Sequence, residues 1–130
     1  MNHAGLRVLI VEDESLVALE AEMGLEQLGY EVLGVAVDVQ AALEAAIDGQ
    51  CDVVVLDLSL DGCRADPIAD ALDRSAIPFI VASGTPIDDS MPRAVRCAPR
   101  VPKPYGAEDL HRAIVALIEA EPATARSAAR

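Results

Sequence analysis

Asp57 closes the apolar run Val53-Val54-Val55-Leu56, so a carboxylate stands at the end of what reads as a buried strand. Two more apolar runs end in polar residues. Val8-Leu9-Ile10-Val11 leads into Glu12-Asp13-Glu14, and Phe79-Ile80-Val81-Ala82 leads into Ser83-Gly84. The shorter segment Arg100-Val101-Pro102 delivers Lys103 and Pro104. Carboxylates brought together repel one another unless a cation joins them. Mg²⁺ suits that role, because it takes oxygen ligands, keeps several waters and is held by one or two carboxylates plus a phosphate oxygen. Glu12, Asp13 and Asp57 are the candidate ligands, with the main-chain carbonyl of Ser59 as a further one. An aspartate can also attack phosphorus and form an acyl phosphate. Lys103 offers a point charge to a phosphoryl oxygen, and the Ser83 hydroxyl and Gly84 N–H can bond another.

Each of these residues has a plainer reading when taken singly. The acids 12–14 could cap a helix and favour its dipole. Asp57 or Ser83 could belong to an ordinary turn, and Lys103 could be a solvated surface lysine. Their shared position, each at the end of an apolar run, is what the plain readings do not explain.

The elements that must position them alternate strand and helix. Strands are expected at about 6–11, 31–36, 52–57, 78–83 and 98–102. A helix from about Ser15 to Leu28 carries Val17, Ala21, Gly24, Leu25 and Leu28 on one face and ends at Gly29. Asp38 suits the N-cap of a helix reaching about Ile47 and ending at Gly49. Asp66-Pro67 supplies an N-cap and first-turn proline for a short helix to about Arg74. Pro86 and Pro92 allow only a short or irregular helix over 86–97. The last helix spans about Ala107 to Ala120, burying Leu110, Ile114, Leu117 and Ile118. Five βα units with short connections imply a doubly wound α/β fold, a parallel sheet covered on both faces by right-handed crossovers. Ligands of such sheets sit beyond the carboxyl ends of the strands, at the topological switch point. That rule gathers Glu12, Asp13, Asp57, Ser83 and Lys103 on one edge.

Composition bounds the rest. The 130 residues suffice for one domain with a core, expected over 1–121, followed by a frayed Ala/Arg-rich tail over 122–130. No apolar stretch approaches the roughly 18 residues of a membrane span, and no signal-peptide pattern precedes the first strand, so a cytoplasmic location is expected. The net charge of −12 argues against DNA as a partner. Residues 1–73 carry 16 acids and 2 bases, whereas 74–130 carry 6 acids and 8 bases. The asymmetry serves solubility; alternatively, Arg93, Arg96 and Arg100 mark a partner surface. Cys51, Cys63 and Cys97 have neither metal nor disulfide spacing and read as buried or partly buried thiols. His3 and His111 show no metal spacing and read as surface residues.

With these motifs in place, nearly the whole chain resembles the receiver domain of a two-component response regulator. The matching pieces are Val-Leu-Ile-Val-Glu-Asp-Glu at 8–14, Val-Val-Val-Leu-Asp-Leu-Ser-Leu-Asp-Gly at 53–62, Ile-Pro-Phe-Ile-Val-Ala-Ser-Gly at 77–84 and Val-Pro-Lys-Pro-Tyr at 101–105. The resemblance implies a flavodoxin-like five-stranded sheet of order 2-1-3-4-5. It implies Asp57 as phosphoacceptor, served by a histidine kinase or histidine phosphotransfer protein, with Ser83 and Lys103 assisting. It further implies Mg²⁺ held by Asp13, Asp57 and the Ser59 carbonyl, with Glu12 helping directly or through water, and a cis Lys103–Pro104 bond. Two departures stand out. Arg100 occupies the position, three before the lysine, where the family usually has a switching aromatic residue, and Glu12 replaces a frequent aspartate. The first resembles a subgroup of single-domain receivers that signal by ordering the segment around the fourth helix.

The expectation is therefore a stand-alone phosphoacceptor, monomeric or weakly dimeric, that passes a change in 84–105 to a downstream protein. It would be no enzyme beyond slow loss of its own phosphoryl group. Met1 lying just before the first strand, and the short tail, favour a complete protein over a receiver cut from a hybrid kinase. A docking module indifferent to phosphorylation is the alternative. An aspartyl phosphatase is disfavoured because Ser59 stands where such enzymes place a general acid, two residues after the nucleophile.

Overall fold

The computed structural model describes residues 5–36, 38–48, 51–58, 66–84, 90–103 and 105–120. Strands β1 (Arg7–Val11), β2 (Glu31–Ala36), β3 (Val53–Asp57), β4 (Phe79–Ser83) and β5 (Arg100–Pro102) alternate with helices α1 (Ser15–Gln27), α2 (Val39–Asp48), α3 (Asp66–Arg74), α4 (Arg93–Cys97) and α5 (Ala107–Ala120). The strands form one parallel sheet of order β2-β1-β3-β4-β5. This is the flavodoxin-like order.

The central strands are apolar over Val8–Val11, Val53–Leu56 and Phe79–Ala82 because both faces of the sheet are covered. Alternate residues go to opposite sides. Leu9, Val11, Val54, Leu56, Phe79 and Val81 join one core with Ala42, Ala46, Ile68, Leu72 and Val95 from α2, α3 and α4. Val8, Ile10, Val53, Val55 and Ile80 join the other with Ala21, Leu25, Leu110, Ile114 and Ile118 from α1 and α5.

Several helix ends follow their local chemistry. The Asp38 carboxylate accepts from the Ala41 amide at 2.8 Å, capping α2. At the end of α1, Gly29 has φ of 101°, its amide donates to Glu26 O, and the Tyr30 amide donates to Leu25 O. That pairing satisfies carbonyls left open by the last turn. The same motif ends α3 with Ala76 at φ of 57°, a conformation that strains a residue bearing a Cβ. Pro92 stands at the N-cap of α4, where its missing N–H costs nothing.

Helix α1 turns the expected face inward: Ala21 and Leu25 are buried, Val17, Gly24 and Leu28 are half-buried, and Ala18 is buried beside them. Three expectations need correction. Leu117 is half-buried rather than buried, although Leu110, Ile114 and Ile118 lie in the core as expected. Cys51 is buried as expected, but Cys97 is exposed because α4 turns Val95 inward and its last residue outward. His111 is not a free surface residue: its Nδ1 lies 2.6 Å from the hydroxyl of buried Tyr30, tying α5 to the end of α1. Cys63, His3, Gly49, Pro86, the Lys103–Pro104 bond and the tail 122–130 lie outside the described residues.

Candidate functional site

After β1 the chain turns to one side of the sheet, and after β3 to the other, so the switch point lies where these two strands end. β1 pairs with both β2 and β3, and β3 with β4. Glu12 and Asp13 follow β1 directly, and Asp57 is the last residue of β3. Ser83 ends β4, and Lys103 follows β5. The Lys103 amide donates to Ser83 O at 3.0 Å, extending the β4–β5 ladder to the level of the site.

Among the described residues, Glu12, Asp13 and Asp57 each bring a carboxylate oxygen within 4.8 Å of the others. Glu12, Asp57 and Ser83 are 1%, 2% and 3% exposed, whereas Asp13 and Gly84 face solvent. Lys103 Nζ stands 3.5 Å from Asp57 Oδ2, 3.3 Å from Glu12 Oε1 and 4.0 Å from Glu14 Oε1. One ammonium thus faces three acids, Glu12, Glu14 and Asp57. The expected residues 12, 13, 57, 83 and 103 do assemble on one edge; Ser59 lies outside the described residues.

Electrostatics follow from burial and crowding. Burial pushes the Glu12 carboxyl up, the charge of Asp57 and a hydrogen bond with it push further, and the Glu14 amide and Lys103 only partly oppose them. Burial works against the charged form of Lys103, but Asp57, Glu12 and Glu14 outweigh it and hold the ammonium above its ordinary range. Excess negative charge held by hard oxygen donors is what a divalent cation of the magnesium type neutralises, so the donor set fits such an ion.

One participant was not foreseen. Tyr105, two residues beyond the lysine, donates its hydroxyl to Glu12 Oε1 at 3.3 Å. Burial and the neighbouring acids Glu12, Asp57 and Glu14 raise its phenol. The sequence signal was only its place in the segment that follows Lys103. A second surprise is the outer side of α1, where Leu16, Leu19 and Met23 are all exposed. They recur at helical spacing, and the stripe begins two residues after Glu14.

Residues 8–115 match the response regulator receiver domain, and the chain belongs to that family. It is similar in structure to SdrG from Sphingomonas melonis Fr1, with 36% identity, 91% of this chain and 99% of that chain covered, and a TM-score of 0.74. It is also similar to the signal receiver domain of a modulated diguanylate cyclase from Desulfovibrio desulfuricans, with 33% identity, 89% and 95% covered, and a TM-score of 0.78. Among curated relatives, the transcriptional regulatory protein PdtaR of Mycobacterium tuberculosis is 32% identical over 113 residues, 83% of this chain and 54% of the relative. The chain spans from 36% to 54% of the length of the curated relatives it matches. No described helix is long and apolar enough to cross a membrane.

Proposed function

We propose that this domain accepts a phosphoryl group on Asp57 from a phosphohistidine of a histidine kinase or phosphotransfer protein. The observation that carries the reading is the buried Asp57 carboxylate with Lys103 Nζ 3.5 Å away, inside the acid cluster of a family receiver. An oxygen of Asp57 attacks phosphorus, the P–N bond breaks, and the imidazole leaves with its electron pair and takes up a proton. Asp13 and Asp57 would hold Mg²⁺, with Glu12 directly or through water and the Ser59 carbonyl as a further ligand. When bound there, the ion would neutralise charge on the transferring group. Lys103 binds one phosphoryl oxygen, and the Ser83 hydroxyl and Gly84 N–H bind another. The Asp57 carboxylate is itself buried, which keeps bulk water from the nucleophile.

The phosphodonor protein docks against the exposed Leu16, Leu19 and Met23 stripe, the apolar surface that starts beside the acid cluster. The added charge on Asp57 draws Lys103 and Ser83 inward and reshapes 84–105, where exposed Arg93, Arg96 and Arg100 offer a basic surface to a downstream protein. Exposed Arg100 in β5 leaves no aromatic ring to flip at that position. The domain performs no turnover beyond slow loss of its own phosphoryl group and acts in the cytoplasm.

Incubation with acetyl phosphate and Mg²⁺ tests the reading. One acid-stable, base-labile phosphoryl mass gain is expected, absent in Asp57→Asn and in the presence of a chelator. A wild-type protein that gains no mass refutes it.

A further inference from the structure

Glu12 is held from three sides. Its Oε2 accepts from the Glu14 amide at 3.3 Å and lies 3.4 Å from Lys103 Nζ, while Oε1 lies 3.3 Å from the same ammonium and accepts from the Tyr105 hydroxyl at 3.3 Å. Two of these contacts come from groups of different availability. Lys103 is shared, since it also stands 3.5 Å from Asp57. Any anionic group added at Asp57 competes for that ammonium and draws it off Glu12. Tyr105 has no such second duty. Its ring packs against the core beneath α1 and α5, and α5 starts two residues later, so the hydroxyl is carried on an anchored body. A phenylalanine would fill the same space and offer no donor.

The geometry points to Tyr105 as a positioning residue: its hydroxyl fixes one oxygen of Glu12 so that the carboxylate keeps facing the divalent-ion site. This rests on the receiver reading above. The group acts through Glu12 and touches neither the ion nor the phosphoryl group. Removing the donor frees a buried glutamate to rotate, and loss of such an outer contact weakens metal binding by about tenfold.

Two measurements test this. Calorimetry gives Mg²⁺ affinity for wild type and Tyr105→Phe, with circular dichroism checking the fold. Fluorine resonances of wild-type protein carrying 3-fluorotyrosine report the second, because the chain has only two tyrosines. Tyr30 bonds His111, away from the acids, and Tyr30→Phe identifies its signal by subtraction. Expected are about tenfold weaker Mg²⁺ binding in Tyr105→Phe, and a shift of the Tyr105 resonance that saturates with Mg²⁺ while the Tyr30 resonance stays put.

Wild-type affinity in Tyr105→Phe overturns the inference and leaves the receiver reading standing. Should that variant fail to fold, a Tyr105 resonance unmoved at Mg²⁺ saturation overturns it instead. A wild-type protein that binds no Mg²⁺ at all removes the metal-dependent reading and this inference with it.

Discussion

Neutralising Asp57 should stabilise the metal-free fold, an unusual outcome for a buried residue. In the absence of metal, Asp57 has Glu12 and Asp13 as like-charged neighbours with oxygens no more than 4.8 Å apart. At an effective dielectric constant near 20, each such pair repels by about 3.5 kcal/mol. Lys103 at 3.5 Å returns about 4.7 kcal/mol of attraction on the same scale. Repulsion therefore wins by about 2 kcal/mol, which the exposure of Asp13 reduces to about 1–2 kcal/mol. Asp57→Asn keeps the shape and removes the charge. Its metal-free melting temperature, read by far-ultraviolet circular dichroism in low salt with chelator, should exceed that of wild type by about 4–8 °C. Mg²⁺ should close most of that gap. At ten times its dissociation constant, metal adds about 1.4 kcal/mol to the wild type, and the variant has lost a ligand. A metal-free variant that melts below wild type would refute the claim that repulsion outweighs the lysine.

Other expectations concern separate parts of the fold. The Glu12 carboxyl is raised in the folded state above its ordinary 4.5, so its contribution is fully present below the unfolded value and is lost as pH rises through the folded one. The metal-free protein should therefore gain stability when acidified from about pH 7 to about pH 5, seen as a higher urea midpoint, and saturating Mg²⁺ should shrink that gain. A methyl at Gly24 would collide with the Cβ of Ala107 at the start of α5. Gly24→Ala should thus cost about 1–3 kcal/mol, and an unchanged denaturation midpoint would count against this packing. Ala76→Gly relieves a left-handed residue at the end of α3 and should add about 0.5 kcal/mol, measured in the same denaturation experiment.

Much of the site was legible because the sheet is covered on both sides. Val8–Val11, Val53–Leu56 and Phe79–Ala82 are unbroken apolar runs, so their ends, and the polar residues placed there, stand out in one dimension. Asp38 and Gly29 announced helix ends by chemistry that acts within a few residues. What stayed hidden depends on distant packing. The inward face of α1 was legible, but the exposure of Leu16, Leu19 and Met23 was not, because they are as apolar as the residues the helix buries. Tyr105 meets Glu12 across 93 positions of sequence, and His111 meets Tyr30 across 81. No local pattern marks such pairs. The exposed thiol of Cys97 escaped for a related reason: a five-residue helix shows too little periodicity to say which way its last side chain points.

The rung between the Lys103 amide and Ser83 O ties the ends of β4 and β5 together, on the same side of the strand that bears Asp57. Were the proposed phosphoryl group to pull the Lys103 backbone inward, the serine would be dragged with it. Two strand ends yoked in this way would hand a local chemical event some mechanical leverage over the basic flank of the molecule.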